Sequence, residues 1–257
     1  GLQHEDGQSH LLAGVIPNCK SYDPTFSFEV AVILQHGMQR MLTEQIDEYY
    51  YITLMNENYP HPEMPEGAAE GIIRGMYKLS GPGKGKSKEV APHVNLLGSG
   101  TILREAMAAA ELLAADFGVA ADIYSCPSLN EVRRDGVDVE RWNRLHPLEP
   151  QRVPYATQVL AQATGPTIAA TDYVRTYAEQ IRPYLPHGMR YTALGTDGFG
   201  RSDTRANLRR FFEVDRYQIA VAALSALADE GSVERKVVAD AIAKYGIEVE
   251  RPNPGTV

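Results

Sequence analysis

The sequence predicts an α/β fold in which a mostly parallel sheet is covered by helices. Three observations carry that expectation. From Val94 onward short apolar runs alternate with amphipathic stretches, and such alternation demands crossover connections, which are right-handed and lay helices on both faces of a parallel sheet. The 257 residues, 44% of them hydrophobic, can bury one large core or two linked ones. Prolines at 60, 62 and 65 interrupt the chain once, which divides it into residues 1–62 and 63–257.

The elements follow in order. Val15 to Tyr22 (VIPNCKSY) is led by apolar residues and closes on Asp23-Pro24, a strand and its turn. FSFEVAVILQHGMQRML then sets Phe28, Val32, Leu34, Met38 and Met41 at helical intervals. YYYITLM, Tyr49 to Met55, is aromatic and β-branched as a buried strand requires, and it ends in Asn56-Glu57-Asn58. NYPHPEMPE forbids a helix and runs extended. A helix is expected from Pro65 through EGAAEGIIRGMYKL to Leu79, and the loop GPGKGKSK after it is flexible and solvated. VNLL, TILREAMAAAELLAADFG, ADIYSCPS, a helical stretch around Leu129 to Arg133, TIAATD, YVRTYAEQIRPYL and YTALGTD supply the alternation. The tail turns helical in DRYQIAVAALSALADEG and SVERKVVADAIAKYG, with Gly231 and Gly246 as stops and Ser232 as a cap.

Composition excludes several function classes. With 33 acidic against 25 basic side chains the formal charge is −8, which repels a phosphate backbone, so no nucleic-acid partner is expected. No apolar run approaches the ~20 residues of a membrane helix. Two cysteines, Cys19 and Cys126, are too few for a disulfide scaffold and lack the spacing of a zinc or redox pair, which fits the cytoplasm. The chain opens on Gly-Leu-Gln-His without an initiator methionine, as the middle of a loop would, so a piece of a longer protein is expected.

The densest chemistry lies in HEDGQSH, where His4 and His10 flank Glu5 and Asp6. Their separation is not the one-turn spacing of a zinc helix. Two imidazoles and two carboxylates can still move protons near neutral pH, and the alternative is a solvated loop bonded to its own backbone. Gly98-Ser99-Gly100 follows a strand and opens a helix, a seat for phosphate, but the third glycine of the dinucleotide pattern is replaced by Leu103, so a tight turn is expected and not a nucleotide site. Asp197-Gly198-Phe199-Gly200 has the wrong order for a kinase metal motif; it delivers Asp203 to the N-cap of TRANLRRFF, whose Arg205, Arg209 and Arg210 form with the preceding Arg201 the densest basic patch. That patch is either a solvated helix face, the favoured reading, or a docking surface for an acidic partner. Cys126 with the distant His146 has no nucleophile signature and reads as a buried thiol, and Trp142 as a packing anchor.

Long strings in one order carry a resemblance: GLQHEDGQSH, ITLMNENYPHPEMPEGAAEGI, LLGSGTILREA, DGVDVERWNRLHPLE, RVPYATQVL, LGTDGFGRSDTRANLRRFFEVD and RKVVADAIAKYGI. They resemble the closing part of the homodimeric bacterial pyruvate dehydrogenases, the thiamine-diphosphate-dependent decarboxylating components. The resemblance implies a transketolase-like subunit, of which residues 1–62 are the end of the middle, pyrimidine-binding domain and residues 63–257 the C-terminal domain. It places the family's active-site histidine on His4, while Gln8 stands where some relatives carry a histidine. It implies a parent enzyme that decarboxylates pyruvate on thiamine diphosphate and Mg2+ and passes the acetyl group to the lipoyl arm of dihydrolipoyl acetyltransferase. The cofactor-activating glutamate, the metal ligands and the lipoyl-transfer histidine then lie upstream of this sequence. The piece alone is expected to be inactive, and the alternative role is an assembly module that docks a subunit.

Overall fold

The computed structural model describes residues 6–81 and 91–257. In the first region α1 (Ser9–Gly14) leads into β1 (Cys19–Tyr22), which pairs in parallel with β2 (Tyr49–Ile52). The crossover between them is α2 (Ser27–Met38), which continues as a single π-type turn over Gln39–Thr43. Glu29 fixes the start of α2 by accepting hydrogen bonds from the Thr25 and Phe26 amides, free donors at a helix N-terminus. The inward face of α2 is Glu29, Ile33 and Gly37, because the Tyr50 ring of β2 lies against the bare Gly37. Phe28 and Val32 of the expected stripe pack at its margin, whereas Leu34 and Met38 remain exposed.

Residues 53–65 carry no regular structure, as their prolines require. The helix expected to reach Leu79 ends earlier. α3 spans Ala68–Arg74 and stops at Gly75, whose φ of 91° is the left-handed cap that glycine tolerates. Tyr77–Ser80 then forms β3, which pairs antiparallel with the edge of the main sheet. Helical spacing of Ile72, Met76 and Leu79 masked this break; Gly75 was its only local mark. The expected GPGKGKSK loop falls almost wholly outside the described residues.

The main sheet has the order β3-β5-β4-β6-β7, built from β4 (His93–Gly98), β5 (Ala120–Ser125), β6 (Thr167–Ala170) and β7 (Tyr191–Leu194), all parallel to one another. Val94 and Leu96 of β4 turn to one face, where they meet α4 (Ile102–Phe117), α9 (Arg216–Asp229) and α10 (Arg235–Lys244). Leu97 turns to the other, toward α5 (Leu129–Leu145), α6 (Tyr155–Val159) and α7 (Arg175–Glu179). Strand alternation thus sorts one apolar run onto two helix layers, each fully buried side chain contributing about 1.5–3 kcal/mol. The expected long helix YVRTYAEQIRPYL is cut to α7 plus one 3-10 turn at Arg182–Tyr184, where Pro183 lacks the donor for a continuous helix.

Two caps differ from expectation. α8 (Arg205–Phe211) is capped by Thr204, whose hydroxyl accepts from the Asn207 amide at 3.3 Å; Asp203 instead accepts from the Thr204 amide and the Asn207 side chain. α10 starts after Glu234, so Ser232 does not cap it. Gly231 and Gly246 do stop their helices, at φ of 75° and 60°.

Candidate functional site

His4 and Glu5 lie outside the described residues, so the site is built from Asp6 onward. Asp6 orders that loop: its carboxylate accepts from the Gln8 amide at 3.1 Å, the Ser9 amide at 2.9 Å and the Ser9 hydroxyl, a cap for α1. The Val174 amide donates to Gly7 O at 2.9 Å and tacks the loop onto the turn after β6. Here, at the C-terminal ends of β6 and β7, where parallel sheets usually receive ligands, a cleft of about 280 Å³ opens. Asp6, Gly7 and Gln8 form one wall, Gly198, Gly200 and Arg201 with Arg205 and Arg209 the other, and Asp172 lines it too. Burial pushes the Asp172 carboxyl above its usual range, against the pull of Arg209.

Behind the loop runs a buried polar chain. Thr53 Oγ1 donates to Asp23 Oδ1 at 2.8 Å and lies 2.9 Å from His10 Nε2. With the Thr53 proton directed at Asp23, His10 carries its own proton on Nε2, and the buried Nδ1 has no partner. Tyr51, Tyr173 and Tyr177 surround the imidazole. Burial lowers the His10 pKa to about 4, the Asp6 charge opposing it, and burial lifts Asp23 to about 7. His10 is therefore a neutral histidine at physiological pH.

The turn Gly98-Ser99-Gly100 is the tight strand-to-helix connection expected. A Cβ on Gly98 would sit 2.6 Å from Leu103 Cα, and one on Gly100 would collide with the Asp23 carboxyl. Asp23 fills the crevice a phosphate would need.

The arginine patch is a solvated face in part: Arg205 and Arg210 are exposed, whereas Arg209 is held in ion pairs. Arg209 donates to Glu105 at 3.2 Å and to Glu57 at 3.1 Å, Arg216 holds Glu105, and Arg104 holds Glu57 at 2.7 Å. Arg205 reaches the Asn56 carbonyl, Arg210 that of Gly246, and Arg201 those of Phe199, Gly200 and Val257. The partner surface of Arg209 is thus in the chain itself: Glu57 of the linker and Glu105 of α4. Cys126 is buried, its thiol pushed up by burial and then by Glu29, while His146 stacks on Trp142 at the exposed end of α5. Those two are not brought together. Asp172 and Thr53 were not singled out in the sequence, and Asp23 and Glu57 were read only as turn residues; the one available signal was a carboxylate two residues past the strand run TIAA.

A family model for the transketolase-like TK C-terminal domain matches residues 75–215, more than half of the sequence. The chain belongs to this transketolase-like family. A model for the pyruvate dehydrogenase E1 component middle domain matches residues 1–62. Over 99% of its length the chain is 60% identical to the pyruvate dehydrogenase E1 component of Pseudomonas aeruginosa, and 56% identical to that of Escherichia coli K12. It spans 28% of either relative and corresponds to the C-terminal portion of the E1 enzyme. Among solved structures, transketolase from Campylobacter jejuni superimposes with a TM-score of 0.60 over 88% of this chain and 29% of that one, at 17% identity, a likeness of fold. The transketolase-like C-terminal fold expected from the sequence is therefore the one present. Among the described residues no helix is long and apolar enough to cross a membrane.

Proposed function

We propose that the chain supplies an active-site loop and subunit-interface surface to a cytoplasmic, homodimeric pyruvate dehydrogenase E1 component, which decarboxylates pyruvate on thiamine diphosphate and Mg2+ and transfers the acetyl group to the lipoyl arm of dihydrolipoyl acetyltransferase. The observation that carries this reading is 60% identity along 99% of the chain to an enzyme of that name. Residues 1–62 are assigned to the end of the middle domain and 63–257 to the C-terminal domain, an assignment supported by where the two family models match.

The described residues do not fit the diphosphate or its metal. Asp23 closes the turn after β4, and no group of three or more metal-ligating side chains occurs among them. What this chain contributes is a histidine and the ordered loop that follows it in sequence. His4 is assigned the catalytic role: an imidazole at neutral pH donates a proton and stabilises negative charge developing on a bound 2-oxo acid. Asp6 and the Val174 amide fix the path of the chain just beyond it, and such positioning governs how much a general acid delivers.

The test is His4→Ala in the full-length enzyme. Pyruvate decarboxylation is expected to fall by about 10²-fold or more with the dimer intact; a rate within twofold of the parent would remove His4 from the mechanism. The alternative, an assembly module that docks a subunit, keeps Arg205 and Arg210 on the exposed face of α8, whereas Arg209 is paired with Glu57 and Glu105.

A further inference from the structure

We propose that residues 251–257 form a positioning strap for the cleft, coupled to it by Arg201. The inference rests on the reading that the cleft adjoins the active-site loop, and it concerns the end of the chain, far from that loop in sequence.

The wall opposite Asp6–Gln8 is the turn Gly198–Arg201. The tail packs directly against it. Gly198 has a φ of 101°, and its α-carbon sits so close to the Pro254 carbonyl that no side chain fits between them. The Arg201 guanidinium donates to Phe199 O at 3.3 Å and Gly200 O at 3.1 Å within the turn, and to Val257 O at 2.7 Å in the tail. It also stands 5.4 Å from the centre of the Phe211 ring of α8. One cation thus ties the tail to the turn and the helix that make the wall.

The tail is built to hold still. Asn253 Oδ1 accepts from the Gly255 amide at 2.9 Å, Asn253 O accepts from Thr256, and Pro254 is buried. Arg251 anchors its start to Glu213 at 3.2 Å and to the Phe211 carbonyl. On the far side of the turn, Asp197 accepts from the Arg175 amide at 2.7 Å, next to Val174, whose amide holds Gly7. Thr196 closes the circuit, its amide donating to Tyr173 O and its hydroxyl to Asp172 O. Displacement of the tail therefore reaches the loop after His4 through three consecutive contacts. Arg201 and Asn253 are positioning residues in this scheme, not catalytic ones.

The experiment uses the full-length protein as Arg201→Gln, Arg201→Lys and a deletion of residues 252–257. Hydrogen exchange is followed at the Val174, Arg175 and Thr196 amides, with amides of β4 and β6 as the measure of an intact sheet. Arg201→Gln and the deletion are expected to accelerate the three reporters at least tenfold, and Arg201→Lys, which keeps a cation able to reach one carbonyl, less than threefold. The KM for pyruvate is expected to rise about fivefold with kcat within twofold. Unchanged reporters in Arg201→Gln would overturn the strap, and that variant decides the matter if the deletion disturbs the sheet. Accelerated reporters with unaltered KM and kcat would uphold the strap and overturn the placement of the cleft beside the active site.

Discussion

The contacts inside the main sheet and the contacts between that sheet and the first region differ in kind. The five-stranded sheet is covered on both faces, and the contact of β4 with α4 and α9 is wholly apolar: Val94, Leu96, Ile102 and Leu113 retain no exposure. In the first region β1 and β2 pair side by side. Phe26 packs on Leu103 and Ile123, and beside that apolar contact the bonds that join this region to the sheet are polar and buried. Glu29 of α2 accepts from the Tyr77 hydroxyl at 2.7 Å and from Ser125 at 2.5 Å, and Asn130 of α5 donates to His10 O and to Ser21. An apolar core forgives lateral slippage, whereas such directional, buried bonds fix one docking geometry and are costly to leave half made.

The comparison breaks first at Glu29. Glu29→Ala strands four donors, two amides and two hydroxyls, and is expected to cost about 3–5 kcal/mol. It should loosen the first region selectively: limited proteolysis is expected to cut within residues 6–52 while the sheet stays protected. Leu96→Ala, with a similar expected cost of about 2–5 kcal/mol, should instead open the sheet. The same cleavage pattern for both substitutions would mean that the halves unfold as one body.

A second distinction is pH. His10, held down near 4, lends stability that is complete above its unfolded value of 6.5 and is lost as the pH falls through 4. Asp23, lifted to about 7 from 3.8, behaves oppositely: its share is complete below 3.8 and is lost as the pH rises through 7. Each amounts to something on the order of 3 kcal/mol, so between pH 4 and 6.5 the two nearly cancel. Asp23→Asn should therefore make urea midpoints rise with pH across that window, and His10→Asn should make them fall. Parallel profiles in the two variants would remove the pair as the source.

Smallest is the ionic hub of the linker. Glu57→Gln leaves Arg104 and Arg209 with a weaker acceptor, an expected loss of about 1 kcal/mol at low salt. Because part of this network meets solvent, the loss should shrink when urea midpoints are measured in 1 M salt, about one order above physiological screening. A salt-independent loss would mark Glu57 as a packing residue.

The same contrast explains what could be read from the residues. The alternation from VNLL to YTALGTD announced the covered sheet because apolar periodicity is itself the cause of that core. β3 went unread since a four-residue antiparallel edge strand needs no pattern of its own beyond a place beside β5. The cleft was half legible. Asp6 and Gln8 sit in the string around His4, and Arg201 and Arg209 in the basic patch, but Asp172 and the Asp23–Thr53–His10 chain come from segments brought together only by the crossovers. The arginines were visible as charges; that Glu57 and Glu105 answer them is a fact of the third dimension.

The Asp23 carboxyl packed against Gly100 makes the chain its own competitor. A helix start after a parallel strand is where this class of sheet ordinarily admits phosphorylated metabolites. A tethered side chain faces such a crevice at an effective concentration of order millimolar or higher, and it never diffuses away. The crevice at this turn is thereby filled from within, and the C-terminal edge of the sheet is left to the cleft beside Asp6, Gly7 and Gln8.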